Sequence, residues 1–282
     1  MKNPLIRLRE SRNFVGNAER TAAEYLLEHP GAVLDSNIRD LAAKIYVSPS
    51  TIIRLCQHIG FRGYREFRQA VIYELALYQS SNKAAETDIE QGDNLESIIE
   101  KITFKNIRSI EETVHMIDIE KFQKCVDLIS ASRNVLLFGI GASLCVARDA
   151  YLKFLRVNKS CFVNDDWHSQ LLLARNATAA DLGICISYSG ETVEMVRCLE
   201  ELNRNNTPSI AITRFAPSTI ASMATHVLYT SASEALFRSG AISSRISQLN
   251  VIDMLYAAYA TANYENSLQR FHETHIDKPN TN

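Results

Sequence analysis

Apolar residues follow two rhythms along this 282-residue chain. Up to about Gln79 they recur every three or four positions, the spacing of a buried helix face. "NAERTAAEYLLEHPG" sets Ala18, Ala22, Tyr25 and Leu26 along one side and stops at Pro30-Gly31, which predicts a helix from Asn17. "SNIRDLAAKI" and "SPSTIIRLCQHIG" predict two short helices, and "YREFRQAVIYELALYQ" a fourth. Residues 80–94, "SSNKAAETDIEQGDN", are polar and aperiodic and are expected to form a linker. Helical spacing returns from Leu95 to Ser130, through Ile98, Ile102, Phe122, Val126 and Ile129. That segment is expected to join two domains or to bury a seam against a second subunit.

From Asn134 the rhythm changes. "NVLLFG", "CFVN", "LGICIS", "SIAIT" and "HVLYTS" are short, rich in apolar and β-branched residues, and mostly separated by helix-like stretches. Continuous apolar strands alternating with helices predict a parallel sheet covered on both faces. "AISSRISQLNVIDMLYAAYATA" then reads as one long closing helix. The expected architecture is an all-α domain over 1–79, the linker 80–94, and an α/β domain over 95–282 with its preceding connecting helices.

Composition changes this picture little. With 46% hydrophobic and 22% charged residues, the chain is ordinary for a globular protein. No apolar run reaches the 18 or so residues that span a bilayer, and "MKNPLIRLRE" stays charged, so a cytoplasmic protein is expected, with no membrane partner. The six cysteines (Cys56, Cys125, Cys145, Cys161, Cys185, Cys198) include no CxxC pair. They are expected to be free thiols, with no metal site and no cofactor. The net charge of −2 hides an asymmetry: residues 1–77 carry 11 Lys/Arg against 8 Asp/Glu, and the rest 19 against 24. A basic front half is compatible with a polyanion partner.

In that front half, "DLAAKIYVSPSTIIRLC" carries a helix-turn-helix signature. Leu41, Ala42 and Ile45 form one inner face, Val47 fills the turn, and Ile52 and Leu55 form the next inner face. Ser48 suits an N-cap, and Pro49 suits the first helical position. Ser50, Thr51 and Arg54 are expected to face outward at the start of the second helix, where a recognition helix meets bases and phosphates. Ser48, Ser50, Thr51 and Arg54 are therefore the candidate DNA-binding residues, with Arg62, Arg65 and Arg68 adding charge beyond them. Tyr46 sits where this turn usually has glycine. If the turn needs a positive φ, a tyrosine there costs about 1–2 kcal/mol. The competing reading is a helical protein-interaction module.

In the rear half, two strand-to-helix turns stand out. "LLFGIGASLCVARDAYLKFL" places Gly139, Gly141 and Ser143 after a strand, and "CISYSGETVEMV" places Ser187, Ser189, Gly190 and Thr192 after another. In a parallel sheet both lie at strand C-terminal ends, where ligands bind. Helix N-termini there offer N–H groups and a positive dipole end to an anion. Glycine and small hydroxyls allow close approach, so the pair reads as a phosphate site. A dinucleotide fold is the rival: Asp165 falls where a ribose-binding acid would sit, but Leu144 replaces the third glycine of G-x-G-x-x-G. Two tight turns with capping serines are the plain alternative. No GK[ST] follows either turn, which excludes a P-loop.

The pair G-x-G-x-S (Gly139, Gly141, Ser143) and S-x-S-G-x-T (Ser187, Ser189, Gly190, Thr192) resembles the sugar-isomerase, or SIS, domain. "EALFRSGAISSRISQLNVIDMLY" is similar to the closing helix of one of its subfamilies, and "VSPSTIIRLCQHIGFRGYREFR" resembles the N-terminal domain of RpiR-type transcriptional regulators. The resemblance implies a one-component regulator of sugar metabolism, with operator DNA and a sugar phosphate effector as its partners and a homodimer or homotetramer as its assembly. It implies that Gly141, Ser143, Ser187, Ser189 and Thr192 line the effector's phosphate site, with Glu234 and Ser244 bordering the sugar. SIS domains also occur in isomerases, where a base beside the reacting carbons is needed. Glu191, Glu234, His168 and His226 are available, but no pair has a spacing that demands acid–base work. A non-catalytic sensor is expected, with a phosphosugar isomerase as the alternative.

Overall fold

The structure, a computed structural model, describes residues 4–11, 15–34, 36–78, 88–232 and 241–276. Residues 80–87 of the expected linker and Glu234 lie outside the described residues. The chain divides into two compact units. One gathers the chain up to Met116 with two short later segments, and the other holds the sheet.

The first unit contains α1 (Pro4–Ser11), α2 (Asn17–Glu28), a 3-10 turn (Pro30–Val33), α3 (Ile38–Ile45), α4 (Pro49–His58), α5 (Tyr64–Tyr78) and α6 (Leu95–Met116). Leu8, Ala22, Leu26, Val33, Leu41, Ile45, Ile52, Leu55 and Phe67 share its core. The expected helices all form. Helix α1 was not expected: its eight residues hold three charges, yet they bury Ile6 and Leu8. Arg7 helps to fix it, since Nη1 donates to the Ile59 carbonyl at 2.9 Å.

The turn between α3 and α4 bears the strain that its sequence suggested. Tyr46 has φ 59° and ψ 37°, the left-handed conformation that closes α3. The amide of Val47 donates back to the Ala42 carbonyl at 3.0 Å, as such helix ends require. At the other side of the turn, Ser48 Oγ accepts from Thr51 N at 3.1 Å and Pro49 opens α4, the cap expected from the sequence.

Helix α6 departs from ordinary amphipathicity. Lys101, Lys105, Ser109, Glu112 and Thr113 are buried, while Leu95 is 79% and Ile99 66% exposed. Lys101 Nζ finds Asp93 at 2.9 Å, and Lys105 pairs with Asp88, so the irregular stretch 88–94 is tied to α6 by charge.

The second unit runs α7 (Ile119–Ala131), β1 (Val135–Phe138), α8 (Ala142–Arg156), β2 (Cys161–Val163), α9 (Trp167–Arg175), β3 (Leu182–Ile186), α10 (Val193–Arg204), β4 (Ser209–Arg214), α11 (Thr219–Met223), β5 (His226–Thr230), α12 (Ile242–Ala262) and α13 (Tyr264–Glu273). The five strands form one parallel sheet in the order β2-β1-β3-β4-β5. Val135 pairs with both Cys161 and Leu182, and Cys185 with Ala211. Alternate strand residues supply two cores. Val135, Leu137, Ile184, Ile186, Ile210 and Ile212 pack with α8 and α12. Leu136, Phe138, Cys185 and Ala211 pack with α10. Burial on both faces is why these strands read as unbroken apolar runs.

Candidate functional site

Strand order places the site. The chain leaves β1 toward β2 on one side and continues from β3 toward β4 on the other, so the sheet switches direction between β1 and β3. Crevices at such switch points, outside the strand C-termini, are where open α/β sheets bind ligands. A cavity of about 420 Å³ lies there, lined by Ser143 from the β1–α8 turn and by Ser187, Ser189 and Thr192 from the β3–α10 turn. Ser244 and Gln248 of α12 form another wall. Ile140, Ile186 and Met195 supply apolar surface. The two hydroxyl-bearing turns that stood out in the sequence therefore meet at one cavity, and Ser244 joins them.

Hydrogen bonds shape the second turn. Ser187 Oγ and Thr192 Oγ1 lie 2.9 Å apart, and Ser189 Oγ lies 3.5 Å from Thr192 Oγ1. Ser189 Oγ accepts from Glu191 N at 3.2 Å. Gly190 makes the bend at φ +69°, packed so closely that a Cβ there would meet Ser218 Oγ at 2.2 Å. In the first turn, Gly141 has φ +60°. It is exposed at the N-cap of α8, and it is not among the residues lining the cavity. A buried residue that sequence reasoning missed, Gln170 of α9, grips this turn. Its Oε1 accepts from Gly139 N at 3.2 Å and its Nε2 donates to Gly139 O at 2.9 Å.

The capping pattern bears on what this cavity can hold. Helix α7 is capped by Asp118, and α9 by Asp166, each accepting backbone N–H bonds. Helices α8, α10 and α12 begin at Gly141, Thr192 and Ala241 with no side-chain cap. Those three helix starts converge on the cavity. Uncapped N-termini carry orphan N–H donors and partial positive charge. Three of them beside five serine and threonine hydroxyls suit an anion with several acceptor oxygens. The lining residues are all neutral among the described residues.

Among the described acid–base candidates, Glu191, His168 and His226 do not line the cavity. Both Glu191 oxygens engage Thr219, accepting from its N at 2.8 Å and its Oγ1 at 2.6 Å, so this carboxylate closes the start of α11. His168 is exposed on α9. His226 opens β5, where burial and then Lys124 and Lys121 hold its pKa below the usual imidazole value. Neither His168 nor His226 lines the cavity. Asp165, the candidate ribose acid, is exposed and paired with Arg148 at 2.7 Å. Cysteine thiols are buried except Cys145, and burial pushes those of Cys56, Cys125 and Cys198 up to about 12. No cluster of potential metal ligands occurs among the described residues.

The helix-turn-helix face has two corrections, at Thr51 and at Arg68. Thr51 was expected to face outward, but its side chain is only 4% exposed. As the third residue of α4 it folds back on the cap, with Oγ1 2.8 Å from Ser48 Oγ. Ser48 is exposed but its hydroxyl is engaged there and with Ser50 Oγ at 2.7 Å. Ser50 and Arg54 do face out. Buried Glu19 orients Arg54, with Nε 3.6 Å from its carboxylate, and takes His58 Nδ1 at 2.7 Å. Arg62 and Arg65 are exposed and line a shallow depression with Ile53 of α4. Arg68 is structural instead: its guanidinium donates to the Val33 and Leu34 carbonyls at 2.9 and 2.6 Å.

Known proteins share both units. Residues 2–78 match the helix-turn-helix domain of the rpiR family, and residues 128–258 match the SIS domain. An uncharacterized HTH-type transcriptional regulator of Caldanaerobacter subterraneus subsp. tengcongensis is 32% identical over 274 residues, covering 97% of this chain and 96% of that one. Another from Bacillus subtilis is 34% identical over 251 residues, covering 88% and 87%. Among solved structures, the Vibrio vulnificus NanR protein complexed with ManNAc-6P superposes with a TM-score of 0.60 at 26% identity, covering 96% of each chain. The sugar isomerase domain of an RpiR transcription factor from Sphaerobacter thermophilus, at 22% identity and a TM-score of 0.56, shares the fold over 61% of this chain and 95% of that one.

Proposed function

The chain belongs to the rpiR family of helix-turn-helix transcriptional regulators, with a SIS domain behind the helix-turn-helix, and from that premise we propose that the cavity at the β1/β3 switch point senses a sugar phosphate. The observation that carries this reading is the convergence of three uncapped helix N-termini and the hydroxyls of Ser143, Ser187, Ser189 and Thr192 on one cavity. Those four hydroxyls hold the phosphate as neutral donors of charge-assisted hydrogen bonds, together with helix-end dipoles. Gly141 lets the α8 backbone approach. Ser244 and Glu234 border the sugar. That a relative 26% identical over nearly its whole length was solved with ManNAc-6P supports a phosphorylated sugar as the effector class.

We assign DNA reading to residues 1–79, joined through 80–94 to a sensing part over 95–282. Ser50 and Arg54 meet the operator. Ser48 acts through the cap that positions them, and Thr51 through its packing against that cap. The protein works as a homodimer or homotetramer, so that paired recognition helices read two half-sites, in the cytoplasm where the operator lies. The sensor is non-catalytic. Glu191 is committed to Thr219, and that commitment favours sensing over isomerisation.

A thermal-shift screen with sugar phosphates and their unphosphorylated sugars tests this reading. A phosphosugar at a hundred times its Kd stabilises the folded protein by about 2.7 kcal/mol, and the free sugars do not. NMR of the same mixtures is expected to show the sugar phosphate unchanged after hours. Conversion to an isomer points to the enzyme instead, and a response to free sugars alone removes the phosphate site.

A further inference from the structure

We propose that Gln248 reads the sugar portion of the effector, donating its amide N–H to an uncharged oxygen, hydroxyl or carbonyl, on the carbon skeleton. This rests on the phosphosugar reading of the cavity. Gln248 stands on the first turns of α12, one helical turn after Ser244, and both line the cavity. Its side chain is 1% exposed. Oε1 accepts from Ser143 Oγ at 3.4 Å. Nε2 is buried with no hydrogen-bond partner among the described residues.

An amide donor buried without a partner is costly, and native proteins keep few of them. Here the orphan belongs to a residue that lines the same cavity as the hydroxyls suited to phosphate. The division of labour follows from chemistry. The turn residues present small donors around one anion, and Gln248 presents one unpaired donor for the rest of the ligand. A neutral N–H donor selects an oxygen lone pair and rejects a protonated amine. A site built to satisfy a buried polar group discriminates strongly against analogues that leave it unpaired. Gln248 is thus a specificity-determining residue, and Ser143 links it to the phosphate grip.

The test uses the full-length protein and calorimetric titration with inorganic phosphate, glucose 6-phosphate, fructose 6-phosphate and N-acetylmannosamine 6-phosphate. Gln248→Met keeps the length of the side chain and removes the donor. The tightest-binding sugar phosphate is expected to lose about ten- to a hundredfold in affinity, inorganic phosphate to stay within twofold, and the ligand-free melting temperature not to fall. Ser143→Ala, by contrast, weakens both ligands. In the wild-type protein, the side-chain amide resonance of Gln248 is expected to move with the sugar phosphate and not with inorganic phosphate, a readout independent of any variant's folding. Unchanged sugar-phosphate affinity in Gln248→Met, equal losses for both ligands, or a stationary amide resonance overturns the assignment. Failure of the wild-type protein to bind any phosphosugar overturns the sensing proposal itself, and this assignment with it.

Discussion

Replacing Tyr46 with glycine is expected to stabilise the helix-turn-helix. Tyr46 closes α3 at φ 59°, and a side chain in that left-handed region costs about 1–2 kcal/mol. The ring gives nothing back, since Tyr46 is 96% exposed. The bonds that close the turn come from backbone, Tyr46 N to Ala43 O at 3.3 Å and Val47 N to Ala42 O at 3.0 Å, so glycine keeps them. Glycine loses about 0.4–1 kcal/mol through the greater freedom of the unfolded chain. The balance is a gain of about 0.5–1 kcal/mol. Native-state hydrogen exchange read over residues 38–58 measures it locally, and amides of α3 and α4 are expected to exchange about two- to fivefold more slowly. Tyr46→Ala is the control: it keeps the strained φ and is expected to stay within about 0.5 kcal/mol of wild type. Equal exchange in the glycine and alanine variants, or faster exchange in the glycine variant, refutes the claim that this turn is strained.

Three further outcomes follow from the same geometry. Gly190→Ala combines a positive φ with a Cβ 2.2 Å from Ser218 Oγ and 2.9 Å from Thr213 Oγ1; it is expected to cost about 2–4 kcal/mol in urea unfolding, and a cost below about 1 kcal/mol shows that the turn relaxes freely. Arg54→Ala is expected to weaken binding to the chain's own upstream DNA and to reduce the salt dependence by about one phosphate equivalent in anisotropy titrations, with sugar-phosphate binding intact; loss of both activities points to misfolding. A thiol reagent at pH 8 is expected to modify Cys145 alone in the native protein and all six cysteines after denaturation, because burial raises the other thiols; fast native reaction of a second cysteine contradicts the packing.

Much of this arrangement is legible in the sequence, for identifiable reasons. A sheet covered on both faces needs unbroken apolar runs, so "NVLLFG" and "LGICIS" announce β1 and β3. A cap works through the nearest backbone amides, so Ser48-Pro49 announces α4. Hydroxyls gathered after two strands announce the cavity. The rest depends on contacts distant in sequence. Gln170 and Gln248 are polar residues inside helices, and nothing local distinguishes a glutamine that grips a turn 31 residues away from one facing water. Thr51 shares its helix start with Ser50, and only the geometry of the cap decides that one turns inward. Leu95, Ile98 and Ile102 read as one apolar face of α6; Leu95 is exposed and the two isoleucines are half-buried, while Lys101 and Lys105 are buried because aspartates at 93 and 88 neutralise them. Uncapped helix starts are invisible until the helices are seen to converge.

The central claim is that occupancy of the β1/β3 cavity changes DNA affinity, and fluorescence anisotropy tests it most directly. Labelled DNA from the chain's own upstream region is titrated with protein, with and without saturating sugar phosphate identified by thermal shift. The wild-type Kd is expected to change by at least about fivefold, the lower end of a usual coupling energy. The double variant Ser189→Ala with Thr192→Ala is expected to bind the ligand-free DNA as wild type does and to show no response to the sugar phosphate. A double variant that responds as fully as wild type, or a wild-type affinity indifferent to bound sugar phosphate, contradicts the account.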